Sequence, residues 1–171
     1  MDIVDCILAD HDRQRRWFAA LDEARDDLES AGKIFNRLRD HLEAHAMAEE
    51  KYFYPTLLQL GKGALDSDSA DETTEDAIDD HNKIANAADA ALNEEVGSDA
   101  WWKCVDKANY QNSAHLSEEE RQGLTDFRRR VPLERRIALG IKYLAFEADH
   151  VTNVEREEKD PDAYIEENEA A

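Results

Sequence analysis

Apolar residues recur along this chain at steps of three, four and seven, the spacing that places side chains on one face of an α-helix. The first stripe of this kind lies within residues 2–29 and consists of Ile3, Ile7, Phe18, Leu21 and Leu28. Asp2 can cap a helix there, and Gly32 is a candidate left-handed cap at its end. The pattern therefore predicts a first helix over about residues 2–29.

Three further long stripes predict helices over about residues 34–60, 73–96 and 98–130. Pro55 should kink or loosen the last turn of the second helix, because proline lacks a backbone N–H and its ring crowds the preceding turn. The polar segment 64–72 is predicted to be a loop and the most mobile part of the bundle.

The hydrophobic pattern indicates the class of fold. Four long amphipathic helices with modest connections predict an all-α protein, an up-down four-helix bundle over about residues 2–130. A shorter fifth helix over about residues 132–150 should pack on its outside or end; its apolar positions are Ile137, Ile141, Leu144 and Ala148. We predict one domain over residues 1–150, followed by an acidic, flexible tail over residues 151–171.

The composition excludes some kinds of partner. The 171 residues include 41 acidic and 21 basic side chains, a formal net charge of -20. Such a charge repels duplex nucleic acid and anionic membrane surfaces, so neither is an expected partner. The acidity fits a strongly solvated surface, and a high-salt habitat or a cationic partner would fit as well. The oligomeric state is left open.

Cysteine use bears on the cellular compartment. The two cysteines, Cys6 and Cys104, form no Cys-x-x-Cys motif. With no signal peptide and no apolar run near 18 residues, a reducing cytoplasm is the expected location. Each cysteine is most simply a small apolar core residue, although a disulfide between them remains an alternative.

Candidate chemistry is carried by histidines and glutamates on the inward stripes. Four of the six histidines fall one per long helix: His11, His45, His81 and His115. Glu49 follows His45 at the fourth residue, and Glu119 follows His115 in the same way. A four-residue step returns to nearly the same face of a helix, so each pair can share a metal ion.

Taken singly, each of these residues has an ordinary explanation. A histidine on an apolar stripe is usually a satisfied core residue, and among 41 acidic residues a Glu four after a His arises easily by chance. Together they would bury several polar groups in one core, which is costly unless the groups share a partner. Imidazole and carboxylate ligands without thiolate suit iron, manganese or zinc. Six ligands are too many for one tetrahedral zinc, so a pair of ions, most naturally iron, is expected.

Four short motifs carry a resemblance to a known family. They are Asp10-His11-Asp12, the segment 45–50 running into Phe53-Tyr54-Pro55, Asp80-His81-Asn82, and the segment 115–121. By these motifs the chain resembles the hemerythrin-like, or HHE cation-binding, family over about residues 2–130. The resemblance implies a hemerythrin-like domain around a non-haem centre of two iron ions bridged by an oxo or hydroxo group. It implies His11, His45, His81 and His115 as terminal ligands, with Glu49 and Glu119 bridging or chelating.

The chain departs from the oxygen-carrying members at two positions. Those members have a second histidine four residues after the one on the third helix, where this chain has Ala85. They also place an aspartate five residues after the last histidine, where this chain has Glu120; Glu119 is the better-aimed carboxylate. A ligand set poorer in histidine disfavours reversible O2 transport. It favours the broader branch, whose members resemble sensors or handlers of O2, peroxide, nitric oxide or iron.

Four neighbouring residues are kept as secondary candidates. His41 is expected to lie beyond the site, in a hydrogen bond or at the surface, and His150 at a helix end. Tyr52 should face inward, as packing or as a phenol near the ligands. Tyr54 points away on an ideal helix, but Pro55 distorts that turn, so Tyr54 is an open candidate for a ligand or hydrogen-bond donor.

Three functions remain in competition. The first is binding or reduction of a small oxidant (O2, peroxide or nitric oxide) at a His/Glu di-iron site, with no protein side chain assigned as catalytic. The alternative is an iron- or oxygen-sensing module without turnover, read by a partner. A purely structural bundle is the third, and it predicts that His45→Ala and Glu119→Ala are nearly neutral and leave metal binding unchanged.

Overall fold

The computed structural model of this chain describes residues 2–64 and 68–150, and all regular structure within those ranges is helical. The helices are α1 (Ile3–Glu23), α2 (Leu28–Tyr52), α3 (Tyr54–Leu60), α4 (Ala70–Ala91), α5 (Asp99–Arg121), α6 (Gly123–Arg130) and α7 (Leu133–Asp149). The all-α class predicted from the hydrophobic pattern is confirmed. None of these helices is both long and apolar enough to cross a membrane.

Two pairs of helices are nearly continuous. Only Phe53 separates α2 from α3, and only Gln122 separates α5 from α6. Four long rods (α1, α2–α3, α4 and α5–α6) therefore form the bundle, and α7 packs against α1 and α2. The break at Phe53 precedes Pro55 by two residues, which fits the distortion expected from a proline that cannot continue the helix.

The first helix is shorter than the sequence predicted. It ends at Glu23 instead of near residue 29, and α2 begins at Leu28 instead of near residue 34. The reason is a cap, because the Asp27 carboxylate accepts a hydrogen bond from the Ser30 amide at 3.2 Å. The proposal of Gly32 as a left-handed cap was wrong, since Gly32 lies inside α2.

Caps also correct the boundaries of α4. It begins at Ala70, earlier than the predicted residue 73, because Ser69 and Glu72 form a reciprocal capping box. It ends at Ala91, and the chain then turns through Gly97, whose φ of 86° favours glycine. Ser98 caps α5, with its hydroxyl accepting a hydrogen bond from the Trp101 amide at 3.1 Å.

The predicted packing face of α7 was wrong. Ile137, Ile141 and Leu144 are exposed, Ile141 by 65%. The buried positions are Gly140 and Tyr143, and Tyr143 is 0% exposed. Periodicity misled here because α7 carries apolar residues on more than one face, and a buried tyrosine with a bonded hydroxyl decides which face turns inward.

The core is divided into two apolar clusters. The α7 cluster comprises Ile3, Val4, Cys6, Ile7, Ala48, Phe53, Tyr54, Leu57, Ala70, Ala77, Leu124, Phe127, Val131 and Tyr143. The tryptophan cluster comprises Phe18, Leu21, Ala31, Phe35, Leu38, Leu42, Ile84, Ala87, Ala88, Ala91, Trp101, Trp102, Val105 and Ala108. Along each long rod, the candidate ligands lie between residues of these two clusters.

The described residues include only part of the chain for which domain limits were predicted. The tail predicted for residues 151–171 lies outside the described residues, as do residues 65–67 of the predicted loop. Both cysteines are free thiols, Cys6 being buried and Cys104 partly exposed, so the alternative of a disulfide is not what the structure has.

Candidate metal centre

The structure brings all six sequence-predicted ligands together in one polar layer across the bundle. The layer consists of His11, His45, Glu49, His81, His115 and Glu119, and all six are buried. Each rod contributes at least one ligand-type side chain to this layer. His45 and Glu49 can both do so because they lie one helical turn apart, and so can His115 and Glu119. His11 and His81, near the middle of α1 and α4, meet residues in the second half of α2 and α5.

Glu49 lies between two sets of imidazoles. Its Oε1 is 3.2 Å from His45 Nε2 and 3.9 Å from His11 Nε2, and its Oε2 is 3.3 Å from His81 Nε2. Two groups of three result, one formed by His11, His45 and Glu49 and the other by Glu49, His81 and His115. In each group the candidate ligand atoms lie within 4.8 Å of one another. Two groups that share one carboxylate suit two bridged cations.

Glu119 faces His11 across the bundle. Its Oε2 is 3.1 Å from His11 Nε2, and its Oε1 accepts a hydrogen bond of 2.5 Å from the Tyr54 hydroxyl. Tyr54 is thus a hydrogen-bond donor in the site, one of the two roles considered for it from the sequence. The break after α2 explains its inward direction, because Tyr54 starts a new helix instead of continuing the old one.

Seven inward-facing atoms of this layer are buried without a hydrogen-bond partner among the described residues. They are the Nε2 atoms of His11, His45, His81 and His115, both carboxylate oxygens of Glu49, and Oε2 of Glu119. Buried polar atoms normally have partners, and leaving this many unpaired is strongly unfavourable. A metal centre would use the same atoms as ligands, so the residues present fit one.

Two more glutamates orient the imidazoles from outside. Glu120 Oε1 accepts from His11 Nδ1 at 2.9 Å, and Glu50 Oε1 accepts from His81 Nδ1 at 2.9 Å. With Nδ1 donating, Nε2 is left to face the centre, the usual arrangement of a histidine ligand. Sequence reasoning missed these roles, although each residue directly follows a predicted ligand in a Glu-Glu pair.

Tyr143 connects α7 to the polar layer. Its hydroxyl accepts from His45 Nδ1 at 2.8 Å and donates to Asp10 Oδ2 at 2.9 Å. Sequence reasoning also missed this residue, because α7 lay beyond the family motifs and its inward face was misassigned. The available signal was a tyrosine among the apolar residues of α7.

The charges of the polar layer depend on mutual pairing. Burial alone would lower the pKa of His11, but the nearby carboxylates of Glu119, Glu120 and Glu49 raise it to about 11. Against burial, Glu49 and Glu50 likewise raise the pKa of His81 to about 10. For His115 burial prevails and lowers the pKa to about 4. Burial would raise the pKa of Glu49, yet the surrounding imidazoles hold it well below its usual value.

The other three secondary candidates, Tyr52, His150 and His41, do not contact the centre of this layer in the same way. Tyr52 packs its ring 6.1 Å from Phe146, and His150 is exposed at the end of α7, as its helix-end assignment predicted. His41 is buried beside Asp10, and Nε2 has no hydrogen-bond partner in the described part of the chain. Burial lowers the pKa of His41 to about 4.

A cavity of about 470 Å³ opens between α2 and α4 and reaches three of the four histidines of the polar layer. His45, His81 and His115 lie along it, and Ile84 and Ala85 form part of its α4 wall. Ala85 is the position at which the oxygen carriers have a histidine. The methyl group cannot bind a metal, and the space it leaves belongs to the cavity.

Comparison with known proteins agrees with the geometry. A family model described as the hemerythrin HHE cation binding domain matches residues 2–126. Searches of curated proteins and of solved structures found no significant match. The match covers α1 to α5, the start of α6 and all six residues of the polar layer, so the chain belongs to the hemerythrin HHE cation-binding family, a family of metal-binding helical domains.

Proposed function

We propose that this protein holds two iron ions in the polar layer and binds or reduces a small oxidant there, namely O2, peroxide or nitric oxide. The observation that carries the proposal is the set of seven buried, unpaired ligand-type atoms around Glu49. His11 and His45 would hold one ion, His81 and His115 the other, and Glu49 both. Glu119 would add a carboxylate on the His11 side.

The chain's own residues give this centre its orientation and access. Iron, when bound, would supply the electrons and open coordination positions for a small oxidant. Glu50 and Glu120 fix the rings of His81 and His11, and Tyr54 donates a proton in a hydrogen bond to Glu119. The cavity beside Ala85 offers a route from solvent to the histidines. We place the protein in a reducing cytoplasm, which agrees with its two free thiols.

Anaerobic loading with Fe(II) tests the proposal. We expect two irons per chain and a near-ultraviolet absorption that appears when the loaded protein meets peroxide or nitric oxide. Glu49→Gln should lose most of the bound iron, because it removes charge from both groups of ligands at once. Glu29→Gln, an exposed change on the same helix, is the matched control. Equal iron content in the two variants, or no spectral response, would sink the proposal.

One observation favours the alternative of a sensor without turnover. α7 bonds to His45 through Tyr143 and also presents an exposed apolar face that includes Leu133, Ile137 and Ile141. A change of metal state could therefore be transmitted to a surface that a partner reads. Repeated additions of peroxide distinguish the two functions. Consumption over many cycles supports an enzyme, whereas a single stoichiometric response supports a sensor.

A further inference from the structure

We propose a third cation site, separate from the polar layer, formed by Asp10 of α1, His41 of α2 and Glu147 of α7. It would bind one divalent transition-metal ion, such as Fe(II), Mn(II) or Zn(II). None of its three residues belongs to the six of the polar layer.

The three side chains converge from three different helices. One ligand-type atom from each lies within 4.8 Å of the other two, and His41 Nε2 is 3.9 Å from Asp10 Oδ1. Two ligands of one ion, each bonded at about 2.0–2.2 Å, are separated by roughly 3–4 Å. A small contraction of the side chains would therefore complete the site.

His41 supplies independent evidence for a ligand. The residue is 5% exposed, and its Nε2 is buried without a hydrogen-bond partner among the residues the structure describes. The neighbour of this atom is a carboxylate oxygen, Asp10 Oδ1, at 3.9 Å. Leaving an imidazole nitrogen unpaired in a core is unfavourable, and a shared cation removes that penalty.

The two acidic residues are close enough to interact directly. A carboxylate oxygen of each lies within 4.8 Å of the other, and like charges at that distance repel. Arg13, itself half-exposed, is 3.2 Å from Asp10 Oδ1 and offsets part of that charge. A divalent ion would neutralise both carboxylates, whereas a shared proton would neutralise only one, and the experiment below separates the two.

The type of ion follows from the donor set. Two carboxylates with one imidazole and no thiolate suit Fe(II), Mn(II) or Zn(II), and a single imidazole makes soft ions poor candidates. The site would also be linked to the polar layer, because Asp10 Oδ2 accepts from Tyr143, whose hydroxyl accepts from His45. An ion bound to Asp10 would thus be two hydrogen bonds away from a ligand of the proposed di-iron centre.

Counting zinc ions on the full-length, chelator-stripped chain tests this site. We expect native mass spectrometry at saturating Zn(II) to show three ions per wild-type chain, two in the polar layer and one at the new site. Glu147→Gln and His41→Gln should each show two, with the third ion bound about tenfold or more weakly. Asp149→Asn, an exposed change in the same turn of α7, should still show three.

The outcomes separate this site from the proposed function. A wild-type chain that binds only two ions overturns the third site and leaves the di-iron centre standing. Three ions in either folded variant also overturn it, because the extra ion would then lie elsewhere. Glu49→Gln provides the converse test, since it should weaken the central ions and retain the third. Circular dichroism establishes that each variant is folded, and because His41→Gln and Glu147→Gln remove different ligands, the ion count of either one that folds decides the matter.

Discussion

Glu49 and the histidines around it carry compensating charges when no metal is present. The carboxylate is held ionised by the imidazoles, and the imidazoles of His11 and His81 hold protons well above their ordinary pKa. Protons then occupy the positions that cations would take. The metal-free fold should therefore depend on pH in a way that the loaded fold does not.

Raising the pH should destabilise the metal-free protein. The pKa of His11 is about 11 when folded, against 6.5 for an unperturbed imidazole, so its contribution to stability is complete below 6.5 and lost as pH rises toward 11. His81 behaves alike, with a pKa of about 10. Between pH 7 and 9 the free energy of unfolding should fall by on the order of 1 kcal/mol per pH unit for each histidine.

Urea denaturation in the presence of a chelator at pH 7, 8 and 9 measures this effect. The metal-loaded protein is the control, because its imidazoles bind metal through unprotonated nitrogen and its stability should not fall over the same range. An unchanged midpoint for the metal-free protein would contradict the assigned proton positions.

Removing the Tyr54 hydroxyl should weaken metal binding with little loss of packing. Tyr54→Phe keeps the buried ring and deletes the 2.5 Å hydrogen bond to Glu119. Losing a partner of a metal ligand typically lowers metal affinity by about 10- to 100-fold. Competition with a chromogenic chelator measures the change, and Tyr110→Phe, whose ring is 78% exposed, is the matched control. Equal affinities for the two variants would show that the hydroxyl has no influence on the ligands.

Among the helices, α7 departs most from what the sequence suggested. It closes one side of the bundle through Tyr143 and through the partly buried Leu139 and Phe146. The residues that periodicity selected for packing instead face outward. This helix therefore supports the metal centre, although it follows the segment that matches the family model.

Two variants on α7, one at Tyr143 and one at Ile141, test whether the predicted face or the observed face of this helix packs against the bundle. Tyr143→Ala should destabilise the protein by about 3 kcal/mol or more, because it empties a fully buried site and removes two hydrogen bonds. Ile141→Ala, at a position 65% exposed, should change stability by less than about 0.5 kcal/mol. Chemical denaturation compares them, and a reversed order would restore the face expected from the sequence.

Residue spacing was sufficient for the long helices and for the six residues of the polar layer. A four-residue step from His to Glu places both side chains on one face of a helix. His45 and Glu49 share a face in this way, and so do His115 and Glu119. What spacing cannot supply is contact between distant helices. The bonds from Glu120 to His11 and from Tyr143 to Asp10 depend on how the rods pack. Helix ends likewise depend on local caps such as Asp27, which an apolar pattern does not contain.

The bundle as a whole is open on one side, between α2 and α4. Filling that opening should slow access to the metal. Ala85→Phe places a ring in the cavity next to His81, and we expect nitric oxide to bind the Fe(II)-loaded variant about tenfold more slowly, a barrier increase of ~1.4 kcal/mol. Stopped-flow absorbance gives the rate. Ala90→Phe, on an exposed face of the same helix, is the control, and equal rates would indicate that ligands enter elsewhere.

The polar layer between the α7 cluster and the tryptophan cluster has a consequence for cooperativity. Each cluster is held by apolar contacts, but the layer between them consists of polar side chains, seven of whose buried atoms have no hydrogen-bond partner among the described residues. Metal-free protein should therefore open as two units, with amide hydrogens at the two ends exchanging at distinct rates, while loaded protein should exchange its most protected amides as one. Hydrogen exchange followed by mass spectrometry would measure these rates. One common rate without metal would mean that the helices alone couple the stability of the two clusters across the polar layer. The ion would then have no role in folding cooperativity. Two rates would mean that the bound ion couples two small folding units into one cooperative unit.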